Sequence, residues 1–161
     1  MGRIDKHNYY LDISETILER GTCIRRNYGS VIVNNDEIIS TGYTGAPRNT
    51  PNCCDMGICL RQEMNIPRGT QYELCRSVHS EVNAIISASR KEILGGTLYL
   101  VGKEKDGSLV KNADCCIMCK KIIINSGIDR VIIRDTKSEY RIVEVSKWIN
   151  ESMDLFTTKG Y

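Results

Sequence analysis

The chain has 161 residues, 41% hydrophobic and 26% charged, with 22 basic and 20 acidic side chains for a net charge of +2. These figures fit one compact globular domain over residues 1–161 and exclude a disordered chain. The charge balance is too even to argue for a nucleic-acid or polyanion binder.

No apolar run approaches the roughly 20 residues of a transmembrane helix, so no membrane partner is expected. The first six residues, Met-Gly-Arg-Ile-Asp-Lys, are polar and unlike a secretory signal. The expectation is a cytoplasmic protein. Eight cysteines, at 23, 53, 54, 59, 75, 115, 116 and 119, would then stay reduced, and their clusters point to metal or catalysis rather than disulfides.

In chain order, the spacing of Tyr9, Ile13, Thr16, Ile17 and Arg20 predicts an amphipathic helix over about 8–20. Two β-rich runs, 30–34 and 37–41, flank Asn34-Asn35-Asp36 and predict a hairpin. From about 43 to 75 glycine and proline interrupt any period, and the stretch is rich in cysteine. A loop this long inside a compact domain is usually functional.

An alanine- and isoleucine-rich helix follows over about 79–90, then a buried strand over 97–101. A polar segment with a turn at Asp106-Gly107-Ser108 leads to a helix over about 116–125, closed by Gly127 in the capping position. Residues 130–134, Arg-Val-Ile-Ile-Arg, predict a strand, and about 140–155 a last helix with Trp148 as a core or interface anchor. Strands alternating with helices predict an α/β sheet covered on both faces, made mixed by the hairpin.

Two short segments carry the chemistry: His79-Ser80-Glu81 and Cys116-Ile117-Met118-Cys119. Each lies at a predicted helix start. Two thiolates three residues apart share one helical turn and can grip one cation. The free amides and dipole of a helix N-terminus favour the deprotonated sulfur.

One imidazole and two thiolates make three protein ligands and leave a tetrahedral zinc one open position, the catalytic arrangement. Zinc lowers the pKa of water it holds to about 7. Glu81, two residues after the histidine, is placed to move protons. An H-x-E followed by C-x-x-C is the zinc-deaminase pattern. A four-ligand structural zinc and a redox dithiol are the competing readings of the same residues.

The chain resembles the cytidine and deoxycytidylate deaminase superfamily, with dCMP deaminases the nearest likeness. The resemblance rests on the segments 21–25, 28–33 and 39–47, on Cys75-Arg76-Ser77-Val78-His79-Ser80-Glu81-Val82-Asn83-Ala84-Ile85, and on Cys116-Ile117-Met118-Cys119-Lys120. It implies a three-layer α/β/α fold with a mixed five-stranded central sheet. It implies zinc on His79, Cys116 and Cys119, Glu81 as proton shuttle, hydrolysis of dCMP to dUMP with release of ammonia, and a homo-oligomer, with hexamers common among relatives.

Three positions depart from the family pattern. Thr44 stands where an asparagine is usual in the substrate loop. Cys115 stands where a proline usually precedes the first zinc cysteine, and adds a third candidate thiolate. Ser80 replaces a usual alanine.

The resemblance also implies a second, structural zinc on Cys23, Cys53 and Cys75, with Cys59 or Cys54 as the fourth ligand. One ion could tie a costly loop to its flanks. The alternative is that these are small buried hydrophobes. A 5′-phosphate wants arginine or backbone amides, and Arg26 and Arg48 are the favoured candidates among Arg25, Arg26, Arg48, Arg68 and Arg76. His7 is expected to be exposed. The rival functional readings are a same-fold deaminase of another base, nucleoside or tRNA, and a zinc-bearing module without activity.

Overall fold

A computed structural model describes residues 2–151. Asp5 caps the first helix, its carboxylate accepting from the Asn8 amide at 3.0 Å, so α1 (Lys6–Leu18) begins about two residues before the predicted start near residue 8. Strands β1 (Arg26–Asn34) and β2 (Glu37–Tyr43) form the expected hairpin. Asn35 and Asp36 turn it with positive φ of 50° and 63°, the backbone that matches the twist of paired strands.

Only short helical turns interrupt the next segment: α2 (Cys53–Met56), α3 (Leu60–Glu63) and a 3₁₀ turn (Tyr72–Leu74). Then come α4 (Ser80–Ile86), α5 (Arg90–Ile93), β3 (Thr97–Glu104), α6 (Ile117–Ser126), β4 (Arg130–Arg134), β5 (Tyr140–Glu144) and α7 (Val145–Asn150).

Two expectations change. The single helix over 79–90 is broken, because Ser89 and Glu92 form a capping box that starts α5 anew. The last helix does not begin at 140: Tyr-Arg-Ile-Val-Glu pairs antiparallel with β4 as β5, and the helix starts at Val145. Its expected end near 155 lies outside the described residues.

The sheet order is β2-β1-β3-β4-β5, with β3 and β4 parallel and every other pair antiparallel. Alternating residues of the central strands face opposite ways and build two cores. On one face α1 buries Tyr10, Leu11 and Leu18 against Val31, Tyr99, Val101 and Ile132. On the other, Ala84 of α4, Ile93, Ile123 of α6 and Trp148 of α7 pack on Ile32, Leu98, Leu100 and Ile133.

His7 is not free in solvent. Its ring lies between Tyr99 and Tyr140, with Nδ1 3.0 Å from the Tyr99 hydroxyl.

Gly42 decides how closely α4 can approach the sheet. A Cβ there would stand 2.2 Å from the Ser80 carbonyl and 2.4 Å from the Ala84 amide nitrogen. Only glycine leaves room for that approach, and through it the strand sets the height of the first turn of α4.

Candidate metal centre and active site

His79 and Cys116 are the capping residues of α4 and α6, each in extended backbone just before its helix. The two helices pack against each other on the same face of the sheet, so their N-termini converge. His79 Nδ1 lies 3.4 Å from Cys116 Sγ and 3.3 Å from Cys119 Sγ. All three donor atoms lie within 4.8 Å of one another.

A tetrahedral zinc with Zn–S near 2.3 Å and Zn–N near 2.05 Å separates nitrogen from sulfur by about 3.6 Å. The donor set therefore fits such an ion in both chemistry and spacing. Among the described residues this is the one group of three or more metal-ligating side chains gathered so closely.

The Cys119 thiol, as hydrogen-bond partner, and then His79 hold Cys116 well below an ordinary thiol. Cys119 is pushed up in turn by its contact with Cys116 and by burial. Burial disfavours the His79 imidazolium, but the Cys116 hydrogen bond and the Glu81 charge outweigh it and shift the histidine up.

Glu81 sits beside this cluster, only 4% exposed. Burial raises its carboxyl, against the pull of His79. The Ser80 hydroxyl donates to Glu81 Oε2 at 3.1 Å and lies 2.7 Å from the Ser30 hydroxyl of β1. Ser80 is thus more than a neutral replacement for alanine, since it links the glutamate to the sheet. The resemblance alone carried no sign of this, because the contact needs a strand fifty residues away.

A cavity of about 230 Å³ opens above these groups, lined among others by His79, Glu81, Cys116, Tyr28, Thr44 and Tyr72. The Thr44 hydroxyl accepts from the Tyr28 amide at 3.0 Å and so ties the 42–47 loop to β1. Burial pushes the Tyr28 phenol up to about 12, which keeps it neutral.

Arg26 reaches the cavity and is held by the Glu104 carboxylate through both Nε, at 3.1 Å, and Nη2. Arg25 and Arg68 line the same cavity. Arg48 does not: it is exposed and reaches only the Ser87 hydroxyl, at 3.4 Å. It directly follows the 42–47 loop in the chain, but its side chain is not among those lining the cavity.

Cys115 faces the core, 3% exposed, among Ala113, Cys119 and Trp148. Burial pushes its thiol up, which makes it a packing residue here. Cys23, Cys53, Cys59 and Cys75 are neighbours whose charges influence one another, yet they are not drawn together as tightly as the triad.

Sheet, helix starts and donor triad together define a metal-binding deaminase fold. A sequence model described as the cytidine and deoxycytidylate deaminase zinc-binding region matches residues 4–134. The chain belongs to this family.

It is 31% identical over 137 residues to a deoxycytidylate deaminase of Mycobacterium phage D29, a match covering 82% of this chain and 96% of the phage protein. The deoxycytidylate deaminase of Saccharomyces cerevisiae is 30% identical over 140 residues, 86% of this chain but 39% of the yeast protein. The crystal structure of dCMP deaminase from the cyanophage S-TIM5 in complex with dCMP and dUMP matches with a TM-score of 0.57 at 20% identity, covering 99% of this chain and 98% of that one. This last likeness is one of fold.

Proposed function

We propose that this chain hydrolyses dCMP to dUMP and ammonia, with His79, Cys116 and Cys119 holding zinc and Glu81 moving the protons. The observation that carries the reading is a buried glutamate beside an imidazole and two cysteine sulfurs, with Glu81, His79 and Cys116 lining one cavity. A structural metal site has no use for such a group. The names of the phage and yeast relatives supply the substrate.

Zinc, when bound, would supply a hydroxide-like nucleophile at neutral pH. The chain's own residues do the rest. Glu81 takes the proton of the attacking water and passes it to N3 of the pyrimidine. It then takes the proton of the C4 hydroxyl and gives it to the departing amine, so that the C4–N bond breaks as the C4 carbonyl forms. A buried carboxyl held beside the ligand cluster is placed both to take and to return a proton. Ser80 keeps Oε2 oriented during the exchange.

Arg25, Arg26 and Arg68 line the cavity, with Glu104 paired to Arg26 and Arg68, and this cluster of guanidinium groups favours a substrate with a phosphate over a bare nucleoside.

The reading includes homo-oligomeric assembly and a reducing, cytoplasm-like compartment, which suits eight free thiols. No helix among the described residues is long and apolar enough to cross a membrane. It also includes a structural zinc on Cys23, Cys53, Cys59 and Cys75, supported by their proximity, for which two equivalents of metal per chain are expected.

The test is a substrate panel on the zinc-loaded protein, read by loss of cytosine absorbance and by ammonia release. Turnover of dCMP ahead of cytidine, CMP and adenine nucleotides is expected. Preference for cytidine, for a purine or for tRNA would overturn the substrate assignment, and no turnover of any would overturn the enzyme.

A further inference from the structure

The 44–79 segment reaches the metal centre through a ladder of rings. The Tyr72 ring meets the His79 ring nearly perpendicular, at 80°, with centroids 5.1 Å apart. The Arg61 guanidinium lies 4.8 Å from the centroid of the same Tyr72 ring.

Arg61 is only 6% exposed. A buried cation normally needs a carboxylate, yet among the described residues none pairs with it. Its Nη2 donates instead to the carbonyls of Pro67, at 3.1 Å, and Thr70, while its Nε is buried without a partner. The Tyr72 ring supplies part of what the missing carboxylate would, because an aromatic face attracts a desolvated cation.

Gln71, just before Tyr72, adopts left-handed backbone with φ 49°. That conformation is unfavourable for a side chain of this kind and persists where the surroundings over-determine it. Two independent features, an unpaired buried arginine and a strained residue, thus converge on the placement of one ring.

We propose that Tyr72 is a positioning residue that fixes the orientation of the His79 imidazole, and that Arg61 holds Tyr72 there. The inference rests on His79 being a metal ligand. Groups that orient a ligating histidine change metal affinity or activity by roughly 10–100-fold when lost. Here a ring contact fills the orienting role, and it makes the order of the 44–79 segment count at the metal.

The experiment measures the zinc affinity of the triad by competition with a chromophoric chelator, using zinc alone as the probe and subtracting the zinc that Cys119→Ser still binds, for wild type, Tyr72→Leu, Tyr72→Phe and Arg61→Met. Tyr72→Leu should weaken zinc binding by about tenfold or more. Tyr72→Phe, which keeps the ring, should restore it to within about twofold of wild type. Arg61→Met should weaken it in the same direction by a smaller factor.

Equal zinc affinity in Tyr72→Leu and wild type, with only the KM for dCMP raised, would make Tyr72 a cavity wall and overturn the inference. Tyr72→Phe as weak as Tyr72→Leu would overturn it too, since the hydroxyl rather than the ring would then matter. If Tyr72→Leu does not fold, Arg61→Met decides: wild-type affinity there contradicts the ladder. Wild-type protein that takes up no zinc would refute the metal-site reading itself, a result separable from the others.

Discussion

Two regions of the molecule are rich in cysteine, and they behave differently. In the first, Cys116 and Cys119 sit on the opening turn of α6, and the opening of α4 brings His79 to within 3.4 Å of both sulfurs. In the second, Cys23, Cys53, Cys59 and Cys75 belong to loops and short helical turns, and their sulfurs are near one another without closing into a comparable cluster. Regular structure fixes donor spacing before any ion arrives. Loop cysteines have their geometry set only when something orders the loop, and a metal is one such agent.

The largest expected effect sharpens that contrast. Cys119→Ser should lose the zinc of the triad and with it all measurable ammonia release, whereas Cys115→Ala should keep both. Metal content and turnover measured on the same samples check this pair. For Cys115→Ala the expected change is a loss of about 1 kcal/mol in denaturant unfolding, from a small void in the core. Zinc loss in Cys115→Ala with retention in Cys119→Ser would reverse the ligand assignment.

Next in size is Gly42→Ala. The added Cβ meets backbone on α4 rather than a flexible side-chain tip. A destabilisation of about 3 kcal/mol is expected, together with weaker zinc binding, because the helix that carries His79 must move. Unchanged unfolding and zinc affinity would show that the close approach does not set the site. The smallest effect belongs to Arg48→Ala, for which KM for dCMP should stay within about twofold, as for an exposed side chain away from the cavity. A tenfold rise would return Arg48 to the substrate site.

Much of this architecture is legible in the sequence where the signal is local. The hairpin turn shows in Asn35-Asp36, the end of α6 in Gly127 with its φ of 82°, and the triad in two short motifs at helix starts. Other signals were local too, but masked by a stronger one. The Ser89-x-x-Glu92 box that begins α5 hides behind the alanine and isoleucine of α4, and β5 hides behind the helical spacing that continues toward Trp148.

What no short window could hold is the long-range part. Ser30 meets Ser80, Arg61 meets Tyr72 and Tyr72 meets His79 only after the sheet and the loop have folded. For the same reason Arg48, next to the substrate loop in the chain, misses the cavity that Arg25 and Arg68 line.

The claim most open to a direct test is that Glu81 carries the protons while the three other side chains hold the metal. The measurement is the rate of dCMP deamination by Glu81→Gln at matched zinc content per chain. The account predicts wild-type zinc and a rate lower by roughly a thousandfold, within the range that a lost general acid–base group costs. A zinc-loaded Glu81→Gln protein that deaminates dCMP at the wild-type rate would contradict it.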